Sequence, residues 1–426
     1  MVTIFKNGMM CYINDGYLLT LKYSDMNLIQ KVTIKNILPL YRNGQLAEKV
    51  ELVTFEENQF SCMVQKGLYK TGDVVAYIIP DTYISIPEDL EKDIFKDYRS
   101  KMGGKKRVRA ITFNFQTDPT EISTKIYSNG ILYPNLTDLQ KNLLLNEKYE
   151  ELEKELGLYK EDSDAKFTSS AGGKVDTTGD IKMPSNIYKT DETNIKSVPL
   201  KDIFQFPCKL NITKKFDGSS ATVILDSSQF PEGMVGSRNL LKNPYTTIKT
   251  PIVYKNLLKK LLAKIGLLKK YKTEKVLNEA SEDIFIKNLI PYLKILQNSG
   301  YSNLALRGEL VGKSFKGSGN GQNPDSNKDN QYVLFNVDAT MEGFARKVDV
   351  ELFYELAESL GLKTADCYTL DPVNKSHSIE FHSYEELEKF ILDIFEKLPS
   401  IEGVVIKNES NTKSFKYMND LYDAKK

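Results

Sequence analysis

Between Leu28 and Pro80 apolar residues come in short alternating runs, around Val32–Ile34, Leu52–Phe55, Phe60–Val64 and Val74–Ile79, set apart by Gly, Asn and Asp positions. Alternation with a period of two, broken by turn formers, predicts half-buried strands and an all-β module. Two further strand-like runs, Arg107–Phe113 and Ser128–Pro134, bring the module to about five or six strands, which predicts an OB-type barrel. Leu139–Leu158 then places Glu and Lys at helical spacings and predicts a charged helix.

From Tyr159 to about Ser185 the pattern lapses into polar and glycine-rich stretches with too few apolar residues for a core element, which predicts a flexible linker. The expected division is an N-terminal module over 1–158, a linker over 159–186 and a second globular unit over 187–426. The polar cluster Tyr188–Ser197 offers Thr190 or Asp191 as a helix cap. Over Tyr254–Lys272, leucines at 257, 258, 261, 262 and 268 with Ile265 follow a helical stripe beside a lysine face. That face reads either as a grip on a nucleic-acid backbone or as the solvated side of a surface helix.

The chain has 426 residues and a formal net charge of +1, so no whole-molecule basic field points to nucleic acid, and a binding surface must come from local clustering. Lysine supplies most of the 58 basic residues, which leaves each arginine more informative than any lysine cluster. Lys105, Lys106, Arg107 and Arg109 follow Gly103 and Gly104 and read as a phosphate-backbone contact on the barrel, or as a solvated loop and the outward positions of a strand. Cys11, Cys62, Cys208 and Cys367 show no Cys-x-x-Cys spacing, and His377 and His382 lie near none of them, so no zinc site is expected. No apolar run is long enough to cross a bilayer and Val2–Phe5 is strand-like, so a cytoplasmic protein without a membrane partner is expected.

Asn211–Ser220 places Lys215 two residues before Asp217 and Gly218 at a strand end. A lysine at such a turn can be a nucleophile, provided its surroundings favour the unprotonated amine over the ordinary pKa of about 10.4. Further segments follow in a fixed order: Gly236–Asn239, Leu306–Gly312, Tyr332–Val337, Glu402–Lys407 and Ser414–Lys416.

Together these segments, over roughly Ile187 to Tyr417, resemble the covalent nucleotidyltransferase superfamily of polynucleotide ligases and capping enzymes. Ser237-Arg238-Asn239 and Gly308–Gly312 look more like the RNA ligases than the DNA ligases, and Val64–Thr82 resembles the N-terminal OB domain of the RNA ligase 5 family. The resemblance implies an α+β chain, in which an OB-type barrel precedes an adenylyltransferase (ATP-grasp-like ligase) domain of antiparallel sheets with flanking helices. It implies an ATP-dependent RNA ligase using Mg2+ or Mn2+, joining 3′-OH and 5′-phosphate ends through lysine-AMP and adenylylated polynucleotide intermediates. The substrate implied is RNA, or a nicked duplex with RNA on the 3′-OH side, and no protein partner is implied. A DNA ligase and a non-catalytic end-binding protein on a ligase scaffold remain as alternatives. Only ten residues follow Lys416, which disfavours a capping enzyme with a further OB domain.

Carried over residue by residue, Lys215 attacks the α-phosphate, with Lys416 and a metal as the agents that favour its neutral form. Lys407 and Lys416 contact phosphate oxygens, and Asp217 and Glu402 hold metal-bound water. Glu309 accepts from a ribose hydroxyl, Gly308 letting its strand pass close to the sugar. Arg238 grips the sugar or the 5′-phosphate of the acceptor strand. Phe335 stacks on adenine, although its surroundings read equally as a packed core strand.

Three positions depart from the family pattern. Ser414 stands where many ligases have a lysine, and alternation turns Lys413 to the opposite face from it. Lys214 directly precedes the nucleophile, and the spacing to Asp217-Gly218 selects Lys215. The run from Gly312 through Asn327 contains Gly-Lys-Ser without the spacing of a phosphate loop and predicts a mobile loop near the substrate mouth.

Overall fold

The computed structural model describes residues 2–6, 9–13, 27–80, 82–85, 107–109, 111–119, 126–133, 136–159, 181–183, 192–198, 200–255, 257–266, 268–315, 321–341 and 344–423. In the N-terminal part, the alternating runs form β1 (Ile29–Arg42), β2 (Gln45–Phe55), β3 (Ser61–Gln65), β4 (Val74–Ile78) and β5 (Ile131–Tyr133). The first two are joined at Asn43 and Gly44, both at positive φ, the backbone an Asn-Gly hairpin turn requires. Their order is β5-β4-β1-β2-β3. The two outer strands approach each other, with the Asn129 amide donating to the Ser61 carbonyl (2.7 Å) and the Met63 amide to Ser128 Oγ (2.8 Å). The five-stranded sheet is therefore nearly closed and fits an OB-like barrel, and Ile29, Val32, Phe55, Tyr77 and Ile78 belong to one buried apolar core shared with Leu144 and Leu152 of the following helices.

The single helix expected over Leu139–Leu158 is two, α1 (Asp138–Leu145) and α2 (Tyr149–Glu155). Thr137 and Gln140 form a capping box at the start of α1, whereas Glu147 takes a left-handed φ of 58° that no continuous helix accommodates. Of the expected linker, Ile181–Lys182 pairs with Leu240–Leu241 and extends a sheet, while Thr190 and Asp191 lie outside the described residues.

Two antiparallel-rich sheets build the rest. The larger contains β6 (Ser219–Asp226), β7 (Phe230–Ser237), β8 (Leu240–Lys242), β9 (Leu304–Val311), β10 (Gln331–Met341) and β11 (Phe344–Lys347). One face carries Val223, Leu306, Leu334 and Val337 and packs on α3 (Ile284–Asn298) and α4 (Val350–Ser359). The smaller sheet is built around β12 (Cys208–Lys215), β13 (Gly403–Asn408) and β14 (Ser414–Met418). Its Leu210, Ile212, Val404, Ile406 and Phe415 bury one face against α5 (Tyr384–Lys397). Alternation sends the intervening polar residues of both sheets to the opposite faces. The barrel touches this unit at Gln59, whose amide donates to the Lys196 carbonyl (2.7 Å) and whose side chain accepts from the Tyr384 hydroxyl (2.6 Å).

The lysine-rich stretch expected as one helix over 254–272 is helical only at Leu257–Lys264. Gly266, at φ 85°, ends it, and Tyr271–Leu277 returns as a strand paired with Tyr245–Pro251. The result is a two-stranded ribbon with a short helix between its strands, on which Leu258, Leu261 and Ile265 are exposed.

Candidate active site

In the smaller sheet, Asn211 lies opposite Lys407, Thr213 opposite Val405 and Lys215 opposite Gly403, while Ser414 and Lys416 lie opposite Lys407 and Val405 on the other side. Directly opposed residues share a face, so Lys215, Lys407 and Lys416 emerge on one side, away from the apolar core. In the larger sheet Ser220, Glu309 and Val333 are in register, as are Thr222, Arg307 and Asn336, and Asp338 lies opposite Lys347. The two polar faces meet: Lys407 Nζ donates to the Phe335 carbonyl (2.5 Å), and Asn411 Nδ2 donates to Asn336 Oδ1 (2.6 Å).

Lys215 ends β12, and its ammonium lies 2.5 Å from Glu402 Oε2. Burial acts to lower the lysine pKa, but Glu402, through charge and a hydrogen bond, and Glu309 and Asp217, through charge, together hold it well above the usual lysine value. This reverses the expectation of surroundings that favour the neutral amine. Three carboxylates and one lysine make a site whose resting state is protonated. Asp217 is buried, its carboxylate accepting from the Tyr422 hydroxyl (2.9 Å) and its carbonyl from Asn323 Nδ2 (3.0 Å). Gly218 next to it is required sterically, because a Cβ there would lie 2.6 Å from the Leu310 carbonyl and 2.8 Å from Glu309 Cγ. Gly308 has a different reason from the one expected: its missing Cβ makes room for the Tyr332 ring, 2.4 Å from where that atom would be.

Lys214 has its own partners. Its ammonium binds Asp325 (3.0 Å) and lies 4.4 Å from the centre of the Phe216 ring. Asp325 also binds Lys328 (2.8 Å), and although burial works the other way, these two lysines hold its pKa below the usual carboxylate value. The glycine- and asparagine-rich run expected to be a mobile loop is thus fastened, in its described part, onto the nucleophile turn through buried Asn323 and Asp325.

Lys407 is buried, and burial together with the nearby Lys347 ammonium lowers its pKa to about 8, against the opposite pull of Glu192 and Asp338. Its acceptor is the carbonyl of an irregular position. Arg307 opposes Asn336 while Gly308 opposes Leu334, so Phe335 is an extra residue on β10, a β-bulge of the kind that re-aims a side chain. Phe335 is half-buried there.

Lys416 is half-buried on the same face as Lys407, and Lys413 is directed away, donating to the Ile203 carbonyl (2.8 Å). Arg238 is half-buried and follows Ser237, which opposes Ala221 and so places the arginine at the Lys215 end of the larger sheet. On the barrel, Arg107 bridges to Tyr83 and Arg109 is exposed, while Lys105 and Lys106 lie outside the described residues. Sequence reasoning missed Arg307, buried with its Nε 3.9 Å from Asp338 Oδ2. Burial raises the Asp338 pKa despite the neighbouring Arg307, Lys347 and Lys407. Alternation with Glu309 was the available signal for Arg307; none marked Tyr422 or Asn323.

Among the described residues no three His, Cys, Asp or Glu side chains converge as a direct metal cage. Acidic groups around the nucleophile fit a hydrated divalent ion, which keeps several of its waters and takes few protein ligands.

No curated protein sequence matches the chain significantly. Among solved structures it resembles the Naegleria gruberi RNA ligase. A variant with AMP and manganese aligns at a TM-score of 0.64 and 20% identity over 94% of this chain and 99% of that one. Another variant, with ATP and manganese, aligns at 0.63 and 19% over 93% and 98%. The same ligase with pyrophosphate aligns at 0.59 and 19% over 93% and 98%. At these identities the likeness establishes the fold. Residues 209–418, which carry every element of the groove from the nucleophile turn to Lys416, match the family model for RNA ligase.

Proposed function

We propose that the protein is an ATP-dependent RNA ligase that joins 3′-OH and 5′-phosphate ends, at nicks with RNA on the 3′-OH side. The observation that carries this reading is the convergence of Lys215, Glu402, Glu309 and Asp217 beside Lys407 in the groove of an RNA ligase domain. The ATP and manganese bound to the similar Naegleria ligase support the choice of nucleotide and metal.

In the first step the Lys215 amine forms a bond to the α-phosphorus and the bond to pyrophosphate breaks. The amine must first lose a proton, and Glu402, at hydrogen-bond distance, is the acceptor within reach. Lys416 neutralises charge on the phosphates, Glu309 accepts from the ribose, Phe335 stacks on adenine, and Lys407 lines the same pocket. A divalent cation, when bound, would neutralise phosphate charge, with Asp217 and Glu402 holding its waters. AMP then passes to a 5′-phosphate gripped by Arg238, and the 3′-OH displaces it. Arg107 and Arg109 on the barrel, with Lys105 and Lys106, contact the nucleic-acid backbone.

The test is transfer of label from α-phosphate-labelled ATP, with GTP in parallel, to the protein and to its Lys215→Ala variant. An ATP-specific adduct lost in the variant is the expected result. Labelling by GTP, or none, would remove the adenylylation reading, and all-DNA nicks sealed as fast as RNA nicks would remove the RNA assignment.

A further inference from the structure

The turn bearing Asp217 is held by two buried donors that lie outside the proposed chemistry. Asn323 holds its carbonyl, and the Tyr422 hydroxyl holds carboxylate oxygen Oδ2 at 2.9 Å. Tyr422 is only 1% exposed. It belongs to α6 (Asp420–Asp423), the short helix that follows β14.

That short helix is itself fixed on two sides. The Asn419 amide just before it donates to the Glu402 carbonyl (2.9 Å), and Asn419 Nδ2 to the Ile401 carbonyl (3.0 Å). Asp420 binds the Lys196 ammonium (2.7 Å), and the Lys196 carbonyl receives the barrel's Gln59 amide. A rigid anchor therefore presents a phenol to an acid two residues from the nucleophile. A buried carboxylate near an ammonium is drawn towards it, since opposite charges attract strongly away from water, and the Tyr422 hydroxyl on Oδ2 opposes that pull.

We infer that Tyr422 is a positioning residue for adenylylation, its hydroxyl fixing the Asp217 carboxylate in the orientation the reaction uses. This rests on the proposed function, in which Lys215 is the nucleophile. Anchoring by a hydrogen bond to a charged group is the kind of support a reacting constellation requires to stay in productive geometry.

The experiment compares the full chain with Tyr422→Phe, Asp217→Asn and the double variant. Tyr422→Phe removes one oxygen and leaves the ring, so the melting temperature of each variant shows whether the fold is kept. The expected result is adduct formation slowed about tenfold at saturating ATP, the scale of a lost hydrogen bond to a charged group, with the half-saturating ATP concentration unchanged. In the Asp217→Asn background the same substitution should add almost nothing, because residues acting through one another are not additive. Manganese bound by the protein in the presence of AMP, read by electron paramagnetic resonance, should weaken in Tyr422→Phe. Wild-type rates and manganese affinity in Tyr422→Phe, or an equal slowing in both backgrounds, would overturn the inference and leave the ligase reading standing. Failure of the unmodified protein to form an adduct would remove both.

Discussion

Lys215 and Glu402 form a part-buried ion pair, Nζ and Oε2 lying 2.5 Å apart where the end of β12 meets the start of β13. The pair makes the proposed nucleophile a protonated amine at rest. Its raised pKa means that the native state holds this proton more tightly than the unfolded chain. The stabilisation is fully present below the unfolded lysine value of about 10.4 and is lost as pH climbs through the native value above it.

Reaction of Lys215 with an amine-directed reagent in the nucleotide-free protein should therefore stay slow until strongly alkaline pH. Glu402→Gln should move the onset to lower pH, because burial is then opposed only by Glu309 and Asp217. Mass-spectrometric quantification of the modified lysine across a pH series reads this directly, and an unmoved onset would refute the electrostatic account.

Lys407 behaves in the opposite sense. With a native pKa of about 8, it disfavours the folded state at neutral pH, and this cost fades as pH rises from about 8 towards the unfolded value of about 10.4. Lys407→Met should flatten that part of the stability profile relative to the parent protein, as measured by urea denaturation at pH 7.5 and 10. It also forfeits the bond to the Phe335 carbonyl, so the difference between the two pH values is the informative quantity.

Lys214→Ala should retain the covalent adduct while Lys215→Ala loses it. The Lys214 ammonium serves Asp325, which keeps Lys328, so the expected cost is about 1–2 kcal/mol of stability. A labelling gel and a denaturant titration on the two variants separate the roles.

Gly308→Ala drives a methyl into the Tyr332 ring and towards the Val333 carbonyl. Overpacking of this kind costs about 1–3 kcal/mol. The strand bearing Glu309 must shift, so loss of ATP binding should accompany the fall in melting temperature; a variant with parental values for both would refute the steric reading.

Arg109→Ala should weaken binding of a nicked RNA-containing duplex and reduce the salt dependence of that binding by about one unit of slope for each phosphate the arginine neutralises. Adduct formation from ATP should be unchanged. Fluorescence anisotropy at several salt concentrations provides the slope.

The nucleophile turn, the order of the segments around it and the strands of the barrel were legible because each depends on local spacing or alternation. Lys215, Glu309, Glu402 and Lys407 could be placed on one groove without coordinates. What escaped were events decided at a distance or by a single backbone angle. Glu147 interrupts a sequence with good helical charge spacing, and Gly266 cuts short a lysine-leucine helix whose next residues find a strand partner instead. The sign of the Lys215 shift depends on three carboxylates from separate segments, and Tyr422 reaches Asp217 across 205 residues of chain.

The bulge at Phe335 leaves the two faces of its strand in step on either side of it. Tyr332 and Leu334 before it, and Val337 and Ala339 after it, all lie in the same apolar core. With Phe335 removed, these residues would fall into unbroken alternation with Val333, Asn336 and Asp338, and neither side of the sheet would change what it faces. Packing is thus indifferent to the extra residue. The extra residue instead serves the groove, where its carbonyl accepts from the Lys407 ammonium.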